Sequence, residues 1–209
     1  MSETKEQSGA SREELVQRLE MVEQVIAEGR QATCRYGWAF VMWGTVYVAA
    51  IGWQWLNLPL REWAWAVCVT AAIVIGAVVE GRRKAKGMVG RNVRSRSINA
   101  IWESLGVCMI LFVATAFASH NANTHAYVAA IMIFLGMAHL ASARILRWWL
   151  QGVAAAIWLV NGMMSFFVSD VAGIGLFVVS SVFGMILFGL AAMAIERRER
   201  ARVGESAHA

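Results

Sequence analysis

VAGIGLFVVSSVFGMILFGLAAMAI, residues 171–195, runs for twenty-five positions without one charged side chain. A helix rising about 1.5 Å per residue crosses about 30 Å of hydrocarbon in about 20 residues, so this stretch is long enough to span a bilayer. It lacks the in–out alternation of a barrel strand and is about twice too long for one. Inside lipid every backbone amide needs an internal partner, which leaves the helix.

Five more stretches meet the same criterion, at 36–56, 62–80, 98–118, 126–143 and 148–168. The fold expected is therefore all-α: six transmembrane helices arranged as three hairpins, preceded by a cytoplasmic amphipathic helix. Composition agrees. Of 209 residues 58% are hydrophobic and only 16% charged, against about 45–50% and about 25% in soluble domains. Glycine is frequent in membrane helices and tryptophan at their interfaces, and here there are eighteen and ten. The chain divides into a segment 1–35, a membrane domain 36–196 and a tail 197–209.

The connectors set the threading. GRRKAKGMVGRNVRSRS, 81–97, has seven bases and no acid; RILR follows the fourth span and ERRERAR the sixth. With six crossings, eighteen of the nineteen Lys and Arg fall on one side, Arg61 being the exception. The positive-inside rule makes that side the cytoplasm and places both termini there, in a plasma (inner) membrane. The basic stretch then needs no nucleic acid to explain it, and it lacks the interleaved aromatics that stack bases. Arg82, Arg83, Lys84, Lys86, Arg91, Arg94 and Arg96 are instead expected to meet anionic headgroups or the N-terminal helix. The expected partners are the lipid bilayer and its anionic headgroups, with a homo-oligomer or a cytoplasmic protein as further options.

Residues 1–35 are polar and hold no apolar core of a cleaved signal, so the first span is expected to direct insertion. SREELVQRLEMVEQVIAEG reads as a short helix begun by a Ser11–Glu14 capping box. Leu15, Leu19, Val22 and Ile26 share one face, and Glu14 and Arg18 can pair. Seven acids against four bases in 1–32 suggest docking near the basic connector, or two separately solvated segments.

Small residues at i,i+4 (Ala72–Gly76, Ala114–Ala118, Ala126–Ala130, Ala138–Ser142, Gly152–Ala156, Ser180–Gly184), with Gly44, Gly52 and Gly189, predict close helix packing. Trp53, Trp55, Trp63, Trp65, Trp148 and Trp149 fall at interfacial depth, and Trp43 and Trp158 at mid-membrane. Asn161 is expected to bond across to another helix and Asp170 to cap the last span. Cys34, Cys68 and Cys108 are too far apart in sequence for a paired metal motif and are expected to pack as small apolar residues.

Ionisable groups within spans are costly and call for a reason. Glu80, Glu103, His139 and Gln151 share the cytoplasmic leaflet in this topology and form the candidate polar site. Three readings stand open. In the first, Glu80 pairs with Arg82 or Arg83, Glu103 reaches Arg96 or the interface, and His139 bonds a neighbouring helix. The second is a proton or cation relay, and the third a metal site. His120 and His125, in SHNANTH, are expected in an exposed turn. No phosphate loop, HExxH helix or GxSxG elbow is present, and a haem between spans would need a second intramembrane histidine. No cofactor and no catalytic residue is expected.

Span openings YGWAFVMWG, AIWESLG and RWWLQG, and span ends IGAVVEGRR, LGMAHLASAR and FGLAAMAIERR, suggest three tandem hairpins. GMAHLASARILRWWLQGVAAAIWLVNG, within 128–198, resembles the HdeD-like family of small six-span membrane proteins. The resemblance implies hairpin repeats and a stress-related, non-enzymatic role, and it transfers no catalytic residue. The 1–35 extension and the long second connector depart from that family. A small transporter or channel is the alternative role.

Overall fold

A computed structural model describes residues 3–85, 93–119 and 124–206. They form helices α1 (Glu3–Arg35), α2 (Gly37–Trp55), α3 (Ala64–Ala85), α4 (Val93–Ser119), α5 (Thr124–Leu146), α6 (Trp149–Met164), α7 (Asp170–Ser181) and α8 (Phe188–Ser206). Among the described residues there is no strand. One turn of π-helix, Val182–Leu187, joins α7 to α8 where the sequence reads as uninterrupted α-helix.

Five segments are long and apolar enough to cross a membrane: Arg61–Arg83, Ile98–Ala116, Ala126–Leu146, Trp149–Phe167 and Asp170–Glu199. The sixth expected stretch, 36–56, is α2, which falls outside this set. Trp38, Trp43, Trp53, Trp55 and Gln54 dilute its apolar character. Yet α2 lies inside the bundle, against α3, α7, the π turn and α8. Its glycines explain how it fits. A Cβ on Gly37 would stand 2.7 Å from the Gly189 carbonyl oxygen, and one on Gly189 would stand 2.5 Å from that of Gly37. A Cβ on Gly44 would meet Met185 and Ile186 of the π turn below 3 Å. The helices touch backbone to backbone, as association without a hydrophobic drive requires.

The α5–α6 pair is built alike. A Cβ on Gly136 would collide with Leu159, and Gly162 sits closely over Met132 and Ile133. The other expected small-residue pairs divide. Ser180, Gly184, Ala138 and Ser142 are buried, whereas Ala114 and Ala118 lie on an exposed face and Gly52 contacts nothing. Asn161 donates to Ser180 Oγ across α6 and α7 at 2.9 Å, the cross-helix bond its position suggested.

Two expectations need correction. Ser11 does not begin a helix: α1 runs unbroken from Glu3, so the capping box falls in its interior, while Glu14 accepts from Arg18 at 2.6 Å. Asp170 is not the cap of the last span, since Ser169 takes the Ala172 amide and Asp170 sits in the first turn. Trp148, expected at interfacial depth, packs into the bundle. It is buried against Phe188 at a 5.5 Å ring separation, while its neighbour Trp149 is 75% exposed.

α1 joins the bundle by its C-terminal third. Ile26, Gly29, Thr33 and Cys34 are buried, whereas Leu15, Leu19 and Val22 on the same face are exposed. Arg30 donates to the carbonyls of Leu146 (2.8 Å) and Arg147 (2.5 Å), closing the end of α5. A guanidinium there satisfies orphan carbonyls and meets the negative end of the helix dipole. The chain leaves α5 through a left-handed residue, Arg147 at φ 48°, and the Trp148 amide reaches back to the Ala143 carbonyl at 3.0 Å. This is a Schellman ending with arginine in the place glycine favours.

Candidate functional site

The buried polar groups gather where α5, α6 and α8 meet α2 and α4. His139 and Ser142 are three residues apart on α5, hence on one face. Both are fully buried, as is Gln151 on α6. Gly152 faces Ala143, which brings Gln151 level with the same turn of α5.

His139 sits among rings. Trp102 of α4 lies 5.0 Å away edge-on, Phe188 of α8 5.4 Å away edge-on, and Phe40 of α2 5.5 Å away at a tilt. Phe40 also packs edge to face on Trp102 and Phe188. Neither imidazole nitrogen has a hydrogen-bond partner, nor has Ser142 Oγ or either amide atom of Gln151. An unpaired buried polar group costs about 1–3 kcal/mol, and three such side chains together are unusual in a native core. The bond from His139 to a neighbouring helix that the sequence suggested is not made.

The two glutamates part company from it. Glu80 reaches back to the start of α2. Its Oε1 accepts from the Tyr36 hydroxyl at 3.2 Å. Arg83 stacks over Tyr36 and Trp38, 5.8 and 5.4 Å from the ring centroids. Glu103 is exposed on α4. Thus His139 and Gln151 share one buried region, Glu80 belongs to a separate cluster at the ends of α2 and α3, and Glu103 joins neither.

Between these clusters lies a cavity of about 170 Å³, bounded by Thr33, Tyr36, Phe40, Trp43, Trp102 and Met185, with Ile98 and Asn99 at its α4 side. Phe40 and Trp102 form both its wall and two sides of the His139 cage. A second concavity, about 410 Å³ beside Asn57–Trp63, is an open dish within one turn. The smaller cavity is the more informative, because buried chemistry borders it.

Of the basic residues, Arg82 is exposed and Arg83 half-buried. Lys86 and Arg91 lie outside the described residues, as do the side chains of Lys84, Arg94 and Arg96; His120 and the His125 side chain are also outside them. Among the described residues no three His, Cys, Asp or Glu come together to hold a metal ion. The Cys34 thiol is pushed up to about 12, by burial first and then by Glu199 and Glu196, so it stays protonated and unreactive near neutral pH.

Sequence foresaw His139 and Gln151 but not Ser142, which it read as a packing residue. Its i,i+3 spacing from His139 was the available signal. The aromatic cage had no such signal, because its rings come from three helices distant in sequence. Comparison with protein-family models, with curated proteins and with solved structures finds no match for the chain.

Proposed function

We propose that this chain is a six-span protein of the plasma (inner) membrane, with both termini cytoplasmic, whose role is regulatory or stress-related and non-enzymatic. It acts through helix packing and the contacts of its cytoplasmic helix. The carrying observation is the division of α1. Its inner third is fixed to the bundle by Arg30 and four buried residues, while Leu15, Leu19 and Val22 continue the same face into the open. A helix rigidly joined to a membrane core and unpartnered outside it is suited to passing a contact inward. The lopsided distribution of Lys and Arg supports the six-span threading, with α2 as the first crossing. The resemblance to HdeD-like proteins supports the stress-related role.

A second reading, a small proton or cation transporter, draws on the unpaired His139, Ser142 and Gln151. Its weakness is that Glu103 is exposed and Glu80 engages Tyr36, which leaves the buried histidine without an acidic relay partner. Vesicles reconstituted with the pure protein decide between the two. Under the leading reading, proton and monovalent-cation flux equals that of empty vesicles. Flux well above that level, abolished by His139→Asn, would make transport the function.

A further inference from the structure

The cavity of about 170 Å³ lies where several elements join. Thr33 borders it from α1, Phe40 and Trp43 from α2, Trp102 from α4 and Met185 from the π turn. Its wall is preformed. Phe40 and Trp102 meet edge to face at 5.1 Å, and each also packs on His139, at 5.5 and 5.0 Å. Phe188 holds Phe40 further, at 5.0 Å.

We propose that this cavity binds one small neutral aromatic molecule, a single benzene-sized ring bearing a hydrogen-bond acceptor. The inference adds a ligand to the regulatory reading above and does not depend on the number of crossings.

Size, lining and polarity each select this class. An apolar cavity of about 150 Å³ takes up benzene, so one of about 170 Å³ admits a substituted ring. Four of the side chains lining it are aromatic, Tyr36, Phe40, Trp43 and Trp102. Their faces and edges attract a guest ring in offset or edge-to-face geometry, a gain beyond area burial that a flexible alkyl chain lacks. Met185 adds a thioether, which also favours contact with a ring. Among the described residues no charged side chain lines the cavity, so an ionic guest would give up its hydration without recompense. The polar groups narrow the choice again. The Thr33 hydroxyl donates to the Gly29 carbonyl and the Tyr36 hydroxyl to Glu80. Among the described residues the Trp102 indole N–H is buried with no acceptor. One spare donor on an aromatic wall calls for a guest with one acceptor. Such a guest would bridge α1 to α2, α4 and the π turn.

The test uses the full chain purified in a neutral detergent, with three fluorinated probes followed by fluorine NMR and thermal unfolding. Fluorobenzonitrile carries a ring and an acceptor. Fluorotoluene has a similar ring without the acceptor, and fluorohexane has a flexible chain in place of the ring. One fluorobenzonitrile per chain is expected to give a bound signal distinct from that in micelles. It should also raise the melting temperature, since a ligand that binds only the folded state stabilises it. Fluorotoluene should bind about five-fold more weakly for want of one hydrogen bond. Fluorohexane should show the micelle signal alone. Ala39→Leu, which fills the cavity, should abolish the bound signal. Trp102→Phe, which keeps a ring and loses the donor, should bind both aromatic probes equally. The proposal is overturned if neither aromatic probe gives a bound signal, or if the Ala39→Leu protein still binds. A fluorohexane signal of equal strength would overturn it too, by marking an acyl-chain site. A Trp102→Phe protein that still prefers the nitrile would refute the acceptor-bearing guest. Should Ala39→Leu fail to fold, the probe ranking and Trp102→Phe decide. Ion flux in the vesicle assay would refute the regulatory reading and leave this site standing.

Discussion

Gly189 and Gly106 are both glycines in helices, and their surroundings give them opposite meanings. A methyl group at Gly189 would lie 2.5 Å from a backbone oxygen of α2, an atom with no rotamer by which to withdraw. At Gly106 nothing lies within 4 Å. Gly189→Ala should therefore destabilise the protein by about 1–3 kcal/mol, the cost of overpacking. Gly106→Ala should be neutral or stabilising by up to about 1 kcal/mol, since alanine is the better helix former. Thermal unfolding in detergent checks both, and equal effects would contradict the described α2–α8 contact. Trp158 marks the same contrast among aromatics. It is wholly buried against Phe177, and its indole leaves no room for a side chain at Gly184. The helix-packing role read from the sequence is the one it has.

At the level of elements, the joint between α1 and α5 carries most of what the sequence could not announce. Arg30 looks like one more charge on a solvated helix. Its partners are two main-chain carbonyls more than a hundred residues away, and no side-chain pattern encodes a main-chain acceptor. Arg30→Ala should cost about 1–3 kcal/mol, because charge-assisted bonds to otherwise orphan carbonyls are lost. Arg147→Gly should act in the other direction. It keeps the accepting carbonyl and relieves a left-handed backbone, a gain of about 1 kcal/mol. Opposite signs in one melting assay support the joint as described; loss of stability in both would show that the Arg147 side chain matters more than its backbone. The helices themselves were legible in far greater measure. Long uncharged runs predicted α3 to α8 well. The short N-terminal helix expected from Ser11 is instead 33 residues long, since Ser11 lies inside a helix already begun at Glu3.

For the whole molecule, the decisive measurement is the side on which the ends emerge. Reporter tags at Met1 and Ala209 are expected on the same, cytoplasmic, face. Tags on opposite faces would remove one crossing, with α2 the first candidate to lose its place as a span. α2 carries four tryptophans and a glutamine, and it packs against α3, α7, the π turn and α8. A helix with several helix neighbours can place tryptophan, glutamine and glycine against protein rather than against lipid.

That contrast also explains which features were present in the primary structure and which arose on folding. Helical class, span lengths and the clustering of cations in particular connectors are local or additive properties, because the bilayer acts on each segment separately through its length, polarity and charge. The cage around His139, the separation of Glu80 and Glu103 from it, the Arg30 joint and the cavity beside α4 depend on which helices become neighbours. Those choices turn on backbone approaches at a few glycines and on three-dimensional packing of rings, and they leave no periodic trace along the chain.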